Sequence, residues 1–225
     1  MQLKGLIFDF DGLILDTERP KYQAWVEIYQ MYHQELTIGA YAKCIGSSNL
    51  HFDPLNTLLK SADGKIDPIE VRKQQQVREL ELLGKENVLL GVESLLKEAK
   101  DKGLLLAIAS SSDRPWVIKH LTRLKLKHFF DTILTENDVM QVKPHPELFE
   151  SALKNLEINA ENAIAFEDSP NGMIAAKQAG LFVIGVPNPI TFQLDLSHAD
   201  IILPSLENIG IEQLINLVDQ KRKTS

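Results

Sequence analysis

Alternation of short apolar runs with helical stretches, sustained from Gly91 onward, constrains this chain more than any other feature. Residues 92–102 read as a helix ending at Gly103, and 104–109 as a buried strand running into Ser110-Ser111-Ser112-Asp113. A helix over 115–124, a short strand at 132–134 and a helix over 146–155 follow. Next come a strand at 163–166 ending in Glu167-Asp168, a helix over 172–179 stopped by Gly180, and a strand at 182–186 closed by Pro187. Residues 201–202 form a further short strand, and the last helix covers 206–218. Such alternation predicts a parallel sheet with helices on both faces. Leu6-Ile7-Phe8 reads as one more buried strand of this sheet, because alone it could not bury itself.

Between that first strand and Gly91 the pattern changes. Tyr22, Trp25, Val26 and Tyr29 recur at helical spacing within 19–31, and further helical pieces cover 38–45 and 52–59. A turn at 61–65 leads to Asp67-Pro68, a helix start, and that helix runs to 83 and stops at Gly84. No stretch from 19 to 84 reads as a buried strand. The expected fold class is therefore α/β: a doubly wound parallel sheet, residues 1–15 and 87–225, with a small all-helical domain, 16–86, inserted after the first strand. An insertion that leaves the sheet edge and returns to it is placed to act as a lid. Trp25, Tyr29, Met31 and Phe52 are expected in the core of that insertion rather than on a substrate-facing surface.

A chain of 225 residues can bury a full core, and its hydrophobic fraction of 44% is ordinary for a soluble globular protein. A net charge of −7 argues against a surface that tracks nucleic-acid phosphates, and Lys221-Arg222-Lys223 reads as a frayed tail. The one cysteine, Cys44, rules out an internal disulfide, suits a reducing compartment and reads as a small half-buried hydrophobe. Neither a charged leader with an apolar segment nor a run near the roughly 18 residues of a membrane span is visible. The expectation is a soluble, cytoplasmic monomer without nucleic-acid or membrane partners.

Polar residues collect after the strands. Asp9 and Asp11, with Gly12, follow the first, and Ser110 follows the strand at 104–109; Glu167 and Asp168 end another, and Lys143 precedes a helix. In open α/β sheets such loops converge on the crevice at the carboxyl ends of the strands. An isolated Asp-x-Asp is more often a cap or a solvated turn; convergence changes its meaning. Four carboxylates in one crevice repel one another, and one lysine does not compensate them. A hard divalent cation does, and Mg²⁺ fits because it takes oxygen ligands, carboxylates and phosphate. With a lysine, a serine and helix N-termini beside it, the crevice becomes a phosphate pocket in which a carboxylate can serve as nucleophile.

The segments Asp9-Phe10-Asp11-Gly12-Leu13-Ile14-Leu15-Asp16-Thr17-Glu18, Ile108-Ala109-Ser110-Ser111-Ser112, Lys143-Pro144 and Phe166-Glu167-Asp168-Ser169-Pro170-Asn171-Gly172 resemble, in order, the four motifs of the haloacid dehalogenase (HAD) superfamily of phosphohydrolases, in the branch related to β-phosphoglucomutase. The resemblance covers nearly the whole chain and implies a helical cap from Asp16 to about Glu86. It implies Asp9 as nucleophile and metal ligand, and Asp11 as general acid and then base with its carbonyl on the metal. It further implies Ser110, Ser111 and Lys143 as phosphate binders, Asp168 as a metal ligand, and Glu167 as a ligand or a ligand's partner. Thr17, Glu18, Lys21, Asn49 and Asn171 take supporting or substrate-facing places, and the Ser111-Ser112-Asp113-Arg114 loop helps select substrate.

The implied activity is Mg²⁺-dependent hydrolysis of a small phosphorylated metabolite through an aspartyl-phosphate. Mutases of the branch carry a histidine and a cap arginine where this chain has Lys21 and Asn49, which favours hydrolysis over a sugar-phosphate mutase. A phosphonatase would need a Schiff-base lysine on the cap, for which Lys21, Lys43 or Lys60 are the candidates. A phospho-receiver would need neither Asp11 nor the insertion, and the complete set of acid, metal and phosphate residues speaks against a non-catalytic binding protein on the same fold. Arg114 reads equally as a partner of substrate charge or a helix-start cation, and His145 as a loop residue topping the following helix.

Overall fold

The computed structural model describes residues 2–45, 52–61 and 66–224. In chain order the helices are Glu18–Met31 (α1), Ile38–Ala42 (α2), Pro54–Ser61 (α3), Pro68–Leu83 (α4), Val92–Asp101 (α5), Arg114–Arg123 (α6), Glu147–Leu156 (α7), Pro170–Gln178 (α8) and Ile211–Thr224 (α9). The strands are Gly5–Phe8 (β1), Leu105–Ala109 (β2), Thr132–Leu134 (β3), Ala163–Glu167 (β4), Phe182–Gly185 (β5) and Ile201–Ile202 (β6). All pairings are parallel, in the order β3-β2-β1-β4-β5-β6.

The apolar runs become strands because both sheet faces are covered. Leu6, Phe8, Leu106, Ile108, Ile164 and Phe166 point to one face, where α5, α6 and α9 pack through Leu95, Leu96, Val117, Leu121, Leu214 and Val218. Ile7, Ala107, Ala109, Ala163 and Ala165 point to the other, against Leu148, Phe149 and Ala152 of α7 and Met173 and Ala176 of α8. Phe8 and Phe166, paired in register, stack with centroids 4.8 Å apart. The chain winds outward from β1 to β3, then returns beside β1 as β4, so the crevice of the sheet opens between the ends of β1 and β4.

The helices α1 to α4 gather around their own apolar cluster, which holds Trp25, Ile28, Tyr29, Leu36, Tyr41, Leu55, Leu58 and Val71. Glu27 receives two hydrogen bonds from Arg78, at 2.6 and 3.2 Å, tying α1 to α4. Ile190, from the segment after β5, is buried in the same cluster. At the junction Leu15 bridges Val88 antiparallel, and Leu89 N donates to Ile14 O at 2.9 Å, so the two connecting segments are tied side by side.

Three expectations need correction. The final helix begins at Ile211, not 206, and continues to Thr224. Leu206 is buried as part of a loop, and Asn208 has φ +60, which no helix accepts. The basic cluster is helical rather than frayed, and Arg222 donates to Glu161 O at 3.3 and 3.4 Å while lying over Phe182. Met31 is 64% exposed at the end of α1, unlike Trp25 and Tyr29, which are buried as expected. Among the described residues, no helix is long and apolar enough to cross a membrane.

Candidate active site

Just beyond the last residue of β1, Asp9 N donates to Phe166 O at 3.0 Å, continuing the ladder towards β4. Its side chain is buried, and Lys143 Nζ donates to Asp9 Oδ1 at 2.5 Å and to Glu167 Oε1 at 2.6 Å. Lys143 comes from the loop before α7, with its ammonium 5.0 Å from the centre of the Phe149 ring. Glu167, at the end of β4, is fully buried, and its other oxygen accepts from Asp168 N, Ser169 N and Ser169 Oγ at 3.1–3.2 Å. Asp168 Oδ2 accepts from Asn188 Nδ2 at 2.8 Å.

Two glycines make this packing feasible. Gly12 sits at φ +85, and a Cβ there would overlap the Asp168 carboxylate. A Cβ on Gly172, in the first turn of α8, would overlap the Glu167 carboxyl group.

Asp9, Glu167 and Asp168 each offer a carboxylate oxygen, and these oxygens lie within 4.8 Å of one another. Burial pushes Asp9 up to about 8 against the pull of Lys143, with the Glu167 and Asp11 charges adding to the rise. Burial also raises Asp168 well above the carboxylate range, reinforced by Asp9 and Glu167. Burial alone would discharge Lys143, but the adjoining Asp9 and Glu167 carboxylates outweigh it and hold the ammonium charged. The protein supplies too little positive charge for its own acids here, and the donor set is all oxygen; both features fit a hard divalent cation.

Asp11 faces the same cleft but is held differently. Ser112 Oγ donates to its Oδ2 at 2.7 Å, and Trp116 Nε1 to its Oδ1 at 2.9 Å. The cleft encloses about 220 Å³, lined by Asp9, Asp11, Glu18, Ile45, Ser110, Ser111, Ser112, Lys143, Asp168, Ser169 and Asn171. The Ser111 hydroxyl and Glu18 Oε2 are buried there without a hydrogen-bond partner among the described residues. Burial raises the Glu18 carboxyl, with Lys21 opposing.

Of the residues singled out in the sequence, Asp9, Asp11, Glu18, Ser110, Ser111, Lys143, Asp168 and Asn171 converge on this cleft, with Glu167 beneath it. Thr17 Oγ1 is buried without a partner among the described residues, and Asp16 rather than Thr17 caps α1, accepting from Arg19 N at 3.0 Å. Lys21, Lys43 and Lys60 are exposed and do not line the cleft. Asn49 lies outside the described residues. Arg114 is committed to Asp138 at 2.8 Å and to Ile133 O at 2.9 Å, which makes it a structural cation. His145 Nδ1 accepts from Glu147 N at 3.3 Å, topping α7. Burial lifts the Cys44 thiol to about 11, leaving it unreactive.

Sequence reasoning missed Trp116 and Asn188. Neither carries charge, and the one available signal was that Asn188 follows a strand at the same sheet edge as the acids.

Residues 6–186 match the family described as haloacid dehalogenase-like hydrolase. Among relatives, YhcW of Bacillus subtilis is 39% identical over 95% of this chain and 97% of its own. Hexitol phosphatase B of Escherichia coli K12 is 30% identical over 95% of this chain and 97% of its own. Among solved structures, that of CbbY from Rhodobacter sphaeroides in complex with phosphate superposes with a TM-score of 0.70 at 26% identity, covering 95% of this chain and 99% of that one. With its fold, its strand-end acids and this match in agreement, the chain belongs to the haloacid dehalogenase-like hydrolases.

Proposed function

We propose that the protein is a Mg²⁺-dependent phosphatase that releases phosphate from a small phosphorylated sugar or polyol through an aspartyl-phosphate on Asp9. One observation carries this reading: Asp9, buried at the switch point of the sheet, is held by Lys143 beside Asp168, with Asp11 facing the same polar cleft. An Asp9 oxygen attacks phosphorus as the ester P–O bond breaks, and Asp11 gives its proton to the leaving oxygen. Water then attacks the phosphoryl group, passes a proton to Asp11 and displaces the Asp9 carboxylate. Lys143, Ser110 and Ser111 hold the transferring phosphoryl group; the partnerless Ser111 hydroxyl is a donor suited to that use. Asp9, Asp168 and the Asp11 carbonyl, backed by Glu167, would hold Mg²⁺, which supplies charge neutralisation when bound.

Residues 16–86 act in this scheme as a cap over the cleft, with 1–15 and 87–225 as the catalytic core. Glu18 and Ile45 represent the cap among the lining residues. Lys21 and Asn49, in place of a mutase's histidine and arginine, favour water over a second sugar oxygen as the acceptor. Two likenesses support the substrate class: hexitol phosphatase B, and a CbbY structure, 26% identical, in complex with xylulose-(1,5)bisphosphate.

The test is phosphate release from p-nitrophenyl phosphate and from a panel of sugar, polyol and nucleoside phosphates. Turnover that requires Mg²⁺ and stops with EDTA is expected. Absence of turnover, or indifference to EDTA, would overturn the reading.

A further inference from the structure

The two aspartates of the opening motif are two residues apart but are held by opposite means. Asp9 is fixed by a charged partner, Lys143, whereas Asp11 is fixed by two neutral donors, the Ser112 hydroxyl and the Trp116 indole. We propose that Trp116 is the positioning residue for Asp11, and that its indole N–H sets the orientation in which this carboxyl group exchanges a proton with the leaving oxygen. The proposal rests on the reading of Asp11 as the general acid.

The chemistry of the two donors separates their duties. An indole N–H only donates, so Asp11 Oδ1 keeps the same partner throughout a cycle. A serine hydroxyl donates or accepts, so Ser112 can face Oδ2 whether or not that oxygen carries a proton. Oδ1 is thus the anchored oxygen, and Oδ2 is the one that gives and takes the proton. Neutral donors also steady the carboxyl group without placing another cation beside Lys143.

Trp116 is itself immobilised. Its backbone N–H donates to Asp113 Oδ1 at 2.7 Å in the first turn of α6, and its ring packs on the buried His120 with centroids 4.5 Å apart. A proton donor must be held to within about 0.5 Å of its productive geometry, and the indole is the one anchor here with a fixed hydrogen-bonding sense.

The experiment exploits leaving-group basicity. A p-nitrophenolate departs without a proton, whereas the alkoxide of a hexitol phosphate needs one. Trp116→Phe keeps an aromatic ring at this position and removes the N–H. Its kcat/KM, which reports the first phosphoryl transfer, should fall about tenfold or more for the hexitol phosphate and stay within about twofold for p-nitrophenyl phosphate. Ser112→Ala should show the same selectivity at smaller size. Equal loss on both esters would make Trp116 merely structural, and an unchanged hexitol phosphate rate would remove its role; either overturns the inference. Asp11→Asn is the control. If it shows the selective loss and Trp116→Phe does not, the inference falls alone; if Asp11→Asn shows none, the general-acid reading falls and the inference with it.

Discussion

The sheet edge and the helical insertion treat their polar groups in opposite ways. At the sheet edge nearly every functional side chain is tied down: Lys143 spans Asp9 and Glu167, Glu167 has both oxygens engaged, and Asn188 holds Asp168. Where the insertion meets the cleft, Glu18 Oε2 is buried and unpartnered among the described residues. The core thus spends most of its polar contacts on fixing geometry before any ligand arrives, with the Ser111 hydroxyl the exception, and the insertion leaves Glu18 open to whatever enters. Changes at the core edge should therefore alter rate and metal affinity, and changes on the cap should alter which ester is accepted.

The largest effect tests the fixed side. Asp9→Asn removes the charge of the proposed nucleophile and keeps the shape, so turnover should drop by about 10³-fold or more while circular dichroism and melting stay near wild type. Rates near wild type would move the nucleophile elsewhere.

Gly172→Ala asks whether the edge has any slack. The new Cβ would meet the Glu167 carboxyl group, itself tied to Lys143 and to the backbone of Asp168 and Ser169. Overpacking of this kind costs about 1–3 kcal/mol, and displacement of Glu167 should carry Lys143 with it. A fall of about 10²-fold in kcat with a lowered melting temperature is expected. An unchanged kcat would show that Glu167 can move without consequence.

Asn188→Ala tests whether the two regions are independent. Asn188 Oδ1 accepts from Ile190 N and Thr191 N at 2.9 and 3.0 Å, its amide holds Asp168, and Ile190 is buried in the cap cluster. One short segment thus reaches both the proposed metal ligand and the cap core. Loss of the amide should weaken Mn²⁺ binding, measured by electron paramagnetic resonance, by about tenfold. If Ile190→Ala weakens it as well, the cap and the metal site are coupled through this segment, and the contrast between fixed core and open cap needs revision.

Legibility in the sequence follows the same division. The strands could be read because a strand covered on both faces is apolar along its buried run, as β1 is and as β4 is up to Glu167. Asp9 and Asp168 could be read because charge at the end of such a strand has few structural uses, and Lys143, on the loop before α7, because Lys143-Pro144 resembles a motif of the family. The last helix was misplaced because Leu206 and Ile209 are apolar for burial in a loop, and spacing alone does not distinguish the two. Trp116 and Asn188 stayed invisible for a further reason. Both are neutral, and they lie 105 and 20 residues from the carboxylates they hold, so only the folded chain reveals their use.

The smallest effect probes the open side. The cost of burial raises the Glu18 carboxyl above its ordinary value, so the folded chain binds this proton more tightly than the unfolded one. Between the unfolded pKa, near 4.3, and the raised folded one, the native state carries the excess proton, and stability falls as pH rises through that window. Above the window Glu18 carries its charge with Oε2 shut off from solvent, which destabilises the fold. Glu18→Gln removes that charge. It should raise the melting temperature by about 2 °C at pH 8 and leave it unchanged at pH 4. The same variant should raise KM for a hexitol phosphate by a few-fold, about 1 kcal/mol of lost hydrogen bonding to substrate hydroxyls, and leave p-nitrophenyl phosphate, which has none, unaffected. A variant that is more stable at pH 8 but equally competent on both esters would show that Glu18 faces the cleft without serving it.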